Sequence, residues 1–142
     1  MEYKEKEKHK KFYMKCAVSA SELSYCERSK VGAVLVKDQH MSYGYNGTVT
    51  GTDNKCEDDD NRTKEGVLHA ERNAIAKAAR EAHFPIKGSV LYVTMSPCKP
   101  CAEIIAQSGV SEVYYLEEYR ITDGIDFLRE TCKIPCIQLN IV

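Results

Sequence analysis

From about residue 31 to residue 140, short strand-like runs alternate with helical ones, and this order limits the folds open to the chain. VGAVLVKD has a buried-strand pattern at about 31–37. A turn at Asp38–Gln39 joins it to HMSYGYN, a strand at about 40–46, and the two make a hairpin. An Ala-rich helix is expected at about 68–82, then a strand at 89–95 (SVLYVTM) and a helix at about 99–107 that stops at Gly109. EVYYLE (112–117), a helix at about 122–132 and the strand PCIQLN complete the series. An opening helix precedes them, with Phe12, Cys16, Val18, Ala20 and Leu23 on its apolar side and an end near Glu27. Behind it the order is β-β-α-β-α-β-α-β. Strands alternating with helices imply βαβ units, so part of the sheet is parallel and helices cover both faces. The expected fold is therefore α/β: a three-layer α/β/α sandwich around a five-stranded mixed sheet. In such sheets ligands bind at the carboxyl ends of the strands, where helices begin.

Two of those helix starts carry chemistry. His69-Ala70-Glu71 opens one, and Pro97-Cys98-Lys99-Pro100-Cys101 opens the next, just after a strand. Cys-x-x-Cys brings two sulfurs to one side of a turn, which suits tetrahedral zinc. Helix amino ends also favour thiolates, through exposed N–H groups and the helix dipole. A structural zinc is closed by four protein ligands, whereas a catalytic one has three and leaves a position for water. His69, Cys98 and Cys101 make three. Glu71, about 200° around a helix from His69, is free to face that water. A closed structural zinc site and plain core residues are the competing readings.

The length of 142 residues suits one domain, 1–142. A net charge of −1 provides no global field to attract a nucleic-acid backbone or an anionic membrane. The charged start MEYKEKEKHKK does not resemble a signal peptide, and no apolar run approaches the ~20 residues needed to span a bilayer. A cytoplasmic protein is expected, in the host cytoplasm if the chain is viral. Seven cysteines, an odd count without an export signal, argue against a disulfide framework. Cys132 and Cys136 are expected to be core residues, and Cys56 has no strong reading. GTVTGTDNKCEDDDNRTKEG (47–66) reads as a loop, its CEDDDN run either solvated or a divalent-ion site.

H-x-E…P-C-x-x-C is the signature of zinc nucleobase deaminases. With it stand VGAVLV, GYNG at 44–47, HAERNAI, LYVTMSPCKPCAEIIAQSG and VYYLEEY, spread over about residues 12–139. The sequence resembles the cytidine/deoxycytidylate deaminase superfamily, and within it the dCMP deaminases. The resemblance implies a cytidine deaminase-like fold and a catalytic Zn2+ held by His69, Cys98 and Cys101. It implies hydrolytic deamination of dCMP to dUMP and ammonia, with Glu71 as the proton carrier. It gives Asn46 to the nucleoside, sets Tyr119 near the nucleotide pocket, and gives the backbone at Ala70 and at Ser96, Pro97 and Cys98 to the base. A monophosphate needs Arg, Lys, Ser or amide donors, and Arg28, Ser29, Lys30 and Arg120 are the candidates. Turn chemistry for Asn46, a solvated helix end for 28–30 and packing for Tyr119 are the plain alternatives.

The resemblance further implies a homohexamer regulated by dCTP and dTTP. The effector, with Mg2+ beside dCTP, would lie near Gly47, Gly51, Arg62 and Lys64. Some relatives carry an insertion before the HAE helix that holds a second zinc, and no matching Cys/His set is visible here. Two other functions compete: another zinc deaminase, acting on dCTP, a free nucleoside, guanine or tRNA adenosine, and a non-catalytic zinc or nucleotide-binding module. A polyanion such as tRNA would be repelled by CEDDD.

Overall fold

The computed structural model describes residues 6–49, 51–63, 67–81 and 84–141. Its elements follow the expected order: α1 (Glu7–Ser21), β1 (Gly32–Lys37), β2 (His40–Tyr45), α2 (Ala70–Arg80), β3 (Val90–Met95), α3 (Lys99–Gln107), β4 (Glu112–Glu117), α4 (Asp123–Asp126, continued by Phe127–Thr131) and β5 (Cys136–Gln138). The sheet order is β2-β1-β3-β4-β5. β1 is antiparallel to both β2 and β3, while β3, β4 and β5 are parallel. The mixed five-stranded sheet is thus as expected.

Side chains alternate across the pleat, and this assigns the two layers. Val34, Val36, Tyr92 and Tyr114 face α1 and meet its Tyr13, Met14 and Ala17. Leu35, Leu91, Val93 and Val113 face the other way, onto Ala74 and Ala78 of α2, Ala102 and Ile105 of α3, and Ile125 and Leu128 of α4. Strands buried on both faces read as continuous apolar runs, which is why VGAVLV lacks a polar alternation. Each fully buried large side chain contributes roughly 1.5–3 kcal/mol.

The hairpin turn is tight: Asp38 (φ 50) and Gln39 (φ 69) both adopt the left-handed region, as a two-residue turn between right-twisted strands requires. The first helix departs from expectation. It ends at Ser21, not near Glu27, because the Ser24 hydroxyl donates to Asn46 O at 2.8 Å and draws the chain off the helix axis. Its buried stripe is Tyr13, Met14, Ala17 and Ala20, while Phe12 and Leu23 are exposed. The last helix also departs: after Asp126 it widens, with Cys132 N–H bonding Phe127 O at 3.1 Å, five residues back. Among the described residues no helix is long and apolar enough to cross a membrane.

A further correction concerns cysteine. Cys26 and Cys56, thirty residues apart in sequence, form a disulfide with Cα atoms 5.1 Å apart. Counting cysteines against compartment could not find it, because the pairing depends on where the 47–63 loop returns. Cys136 is buried, as expected of a core residue, and Cys132 is half-buried.

Candidate active site

His69 and Cys98 occupy equivalent positions. Each is the N-cap of its helix with an extended backbone (φ −74, ψ 157 and φ −71, ψ 165), and neither side chain caps its own helix. His69 is therefore just outside α2, so the 200° separation from Glu71 expected within a helix does not apply. The freed side chains converge instead. His69 Nδ1 lies 3.1 Å from Cys101 Sγ and 3.5 Å from Cys98 Sγ. The three donor atoms all lie within 4.8 Å of one another.

Two close approaches fix this convergence. A Cβ on Gly44 would lie 2.4 Å from Ala74 N and 2.6 Å from Ala70 O, so α2 rests directly on the β2 backbone beside its own first turn. A Cβ on Gly124 would lie 2.1 Å from Pro97 O, so the start of α4 backs the Pro97–Cys98 loop. Asn73 adds a hydrogen bond from Nδ2 to Tyr45 O at 2.7 Å.

Glu71 points inward and is only 4% exposed. Burial pushes its carboxyl up, against a smaller opposing pull from backbone N–H and His69. The Cys101 hydrogen bond, then His69, draw the Cys98 thiol down to about 4 despite burial. Cys101 is pushed up by donating to Cys98 and by its own burial. His69 is raised, first by its hydrogen bond to Cys98. A nitrogen and two sulfurs, one thiol already favouring its anion, form a donor set suited to zinc.

A cavity of about 510 Å³ opens beside this cluster at the carboxyl ends of β2, β3 and β4. Of the sequence candidates, it is lined by His69, Glu71, Cys98, Asn46, Ala70, Ser96, Arg28, Ser29, Tyr119 and Arg120. Cys101, Lys30 and Pro97 are outside the lining. Lys30 is exposed between two lining residues of an extended segment, and Pro97 is buried against the start of α4. Asn46 has both ends of its amide engaged: Nδ2 donates to Ser29 O at 2.7 Å, and Oδ1 accepts from Val31 N–H at 2.9 Å. Ser96 Oγ accepts from Tyr119 N–H at 2.7 Å, tying the residues after β4 to the cysteine loop.

Val31, Thr63, Val67 and Met95 also line the cavity, and sequence reasoning missed them. Only Val67 and Met95 carried a signal, by flanking the two motifs. Of the effector candidates, Gly47 pairs with Leu68 through two backbone hydrogen bonds, while Gly51 and Arg62 lie on the loop and off the cavity lining. Lys64 lies outside the described residues. In the acidic run, Asp58 Oδ1 accepts from Asp60 N–H and Arg62 N–H, which makes it a self-capped turn.

A nitrogen–sulfur–sulfur metal cluster beside a buried carboxylate, at the strand ends of a mixed α/β sheet, defines the zinc-deaminase class. Residues 6–117 match the cytidine and deoxycytidylate deaminase zinc-binding region, and the chain belongs to that family. It is similar to the crystal structure of dCMP deaminase from the cyanophage S-TIM5 in complex with dCMP and dUMP. There the TM-score is 0.90 at 45% identity, over 95% of this chain and 99% of that one. It is 37% identical over 123 residues to deoxycytidylate deaminase of Mycobacterium phage D29, covering 75% of this chain and 93% of the phage protein. To the human deoxycytidylate deaminase it is 32% identical over 120 residues, 75% of this chain and 64% of the human protein.

Proposed function

We propose that this protein is a dCMP deaminase, hydrolysing dCMP to dUMP and ammonia. The observation that carries this reading is the buried Glu71 carboxylate beside the His69–Cys98–Cys101 cluster, in a cavity whose rim holds two arginines. Similarity to the S-TIM5 enzyme bound to dCMP and dUMP supports the substrate. Zinc bound by His69, Cys98 and Cys101 would supply Lewis-acid activation of the attacking water.

The protein's own part is the family's chemistry, carried to Glu71 by its place in the motif and its burial beside the cluster. Glu71, withdrawn from bulk water, takes a proton from the attacking water, delivers it to ring N3 and then assists departure of ammonia from C4. Its raised proton affinity suits a group that must both accept and donate. Tyr119 and Asn46 border the nucleoside, and the backbone at Ala70 and Ser96 borders the base. Arg28, Ser29 and Arg120 supply the charged and hydroxyl donors that a monophosphate requires.

We extend the reading to a single cytoplasmic domain over 1–142 that assembles as a homohexamer controlled by dCTP and dTTP. In it the dCTP effector, with Mg2+, binds near Gly47, Gly51, Arg62 and Lys64. Ammonia release from dCMP, dCTP, deoxycytidine and guanine, side by side on zinc-loaded protein, tests the substrate: dCMP should be turned over best. Preferred turnover of any other refutes the assignment. A dCMP saturation curve unmoved by dCTP refutes the regulation.

A further inference from the structure

β3 and β4 run parallel, with Met95 opposite Glu117 in the last pair of the ladder. Just beyond that pair, Ser96 N–H donates to Glu117 O at 2.9 Å. In a parallel ladder, a residue that donates to one partner accepts, through its own carbonyl, from the residue two positions later on the neighbouring strand. A continued ladder would therefore place Tyr119 N–H on Ser96 O. Tyr119 N–H donates to Ser96 Oγ instead, at 2.7 Å. The side chain has taken over a backbone bond, as serine hydroxyls do where they compete with regular structure. β4 ends at Glu117, and the path of the chain beyond it is set by the length of one side chain rather than by the ladder.

The span that follows is bracketed. At its far end Gly124, in the first turn of α4, lies against the cysteine loop: an added Cβ would sit 2.1 Å from Pro97 O and 2.8 Å from Cys98 C. Ser96 and Gly124 thus pin both ends of residues 119–123 to the loop that carries Cys98. Between the two pins, Tyr119 and Arg120 are exposed yet line the cavity. Exposed side chains have little packing to direct them, so the backbone ties decide from where they reach the cavity. Ser96 itself is only 4% exposed, so its hydroxyl is shielded from competing water.

We propose that Ser96 is a positioning residue for the nucleotide: by holding Tyr119 N–H, its hydroxyl fixes the direction from which Arg120 meets the phosphate of dCMP. The inference rests on the phosphate reading of Arg120. Ser96 stands two residues before Cys98, so the arginine and the metal loop share one frame, and the distance between phosphate and reacting ring is set by a single hydrogen bond between two loops. Arg120 supplies the charge and Ser96 supplies its place. The hydroxyl touches no reacting atom and acts only through the 119–120 backbone. Without it, Tyr119 N–H turns to the Ser96 carbonyl or to water, and the guanidinium loses its fixed approach. Glu71 is on another element and keeps its burial.

The test is a double-mutant cycle. Steady-state ammonia release from dCMP is measured on zinc-loaded wild type, Ser96→Ala, Ser96→Thr, Arg120→Ala and the S96A/R120A double variant, with zinc content and Tm checked on each. S96A should raise KM for dCMP by about three- to tenfold, the loss of one hydrogen bond, and by more than it lowers kcat. S96T keeps the hydroxyl and should stay within about twofold of wild type in KM. The double variant should have a KM within about twofold of R120A alone, because once the guanidinium is gone Ser96 has nothing left to position. A double variant whose KM rises by the product of the two single effects overturns the proposal, as does an S96A enzyme with the wild-type KM. So does an S96T enzyme as impaired as S96A when both keep their zinc and Tm. If dCMP is turned over and R120A leaves KM unchanged, the phosphate assignment has failed. If dCMP is not turned over, the functional reading has failed.

Discussion

Gly44→Ala tests whether backbone contact between β2 and α2 sets the active-site geometry. The added Cβ would sit 2.4 Å from Ala74 N, where ordinary contact begins at 3.4 Å, so about 1 Å must be made up. The three obstructing atoms, Ala74 N, Ala70 O and Asn73 C, are helix backbone and cannot rotate away. Either α2 or the edge strand β2 must move, and α2 carries Glu71 with His69 at its cap. Overpacking of this kind costs about 1–3 kcal/mol. For a domain of this size that corresponds to a fall in Tm of roughly 3–12 °C. A displacement of ~1 Å at a reacting group can cost about 100-fold in rate. The expected result is a folded protein with a lower Tm and a kcat for dCMP reduced by about ten- to a hundredfold. Calorimetry, steady-state ammonia release and zinc analysis on the same preparation measure all three quantities. A Tm within about 1 °C of wild type, with kcat within about twofold, would show that this contact does not set the site and refute the reasoning.

Glu71→Gln keeps the shape of a buried side chain but removes its proton traffic, so kcat should fall at least about 10²–10⁴-fold while zinc content stays at wild-type level. Turnover within about tenfold of wild type would exclude Glu71 as the proton carrier. Arg120→Ala should raise KM for dCMP by about ten- to a hundredfold, the loss of one charge-assisted hydrogen bond, and leave Tm nearly unchanged because the side chain is exposed. An unchanged KM would remove Arg120 from the phosphate site. Burial pushes the Cys136 thiol up to about 11, so at pH 8 it is protonated and enclosed. Iodoacetamide should leave it unlabelled in the folded protein and label it after denaturation; rapid labelling of native protein at pH 8 would contradict that burial.

The chemistry was legible because zinc sites use few residue types at short, stereotyped spacings. His69-x-Glu71 and Cys98-x-x-Cys101 each set chemistry-bearing residues two or three apart at a helix start, so local spacing alone marks the candidate metal ligands and proton carrier. The strands were legible for a related reason: a sheet buried on both faces demands continuous apolar runs, and VGAVLV and EVYYLE meet that demand. The α1 end was not legible. Leu23 continues an apolar pattern that the structure leaves exposed, because Ser24 is pulled toward Asn46, twenty-two residues later. The family resemblance makes Asn46 a nucleoside contact, and it lies on the cavity wall. Its grip on Ser29 and Val31 depends on the hairpin bringing the two segments side by side.

The sequence by itself determined the element order, the mixed sheet and the identity of the metal-ligating and proton-carrying candidates, since these depend on period, side-chain chemistry and short-range spacing. Only the tertiary structure decided that His69 and Cys98 both sit at N-caps and meet within 4 Å across two helices. It also decided that Lys30 and Pro97 stay outside the cavity lining, and that Cys26 finds Cys56. Each of these depends on long-range register: which strand lies beside which, and where a loop returns. A one-dimensional pattern records what a residue can do, but not which distant residue the fold will bring to it.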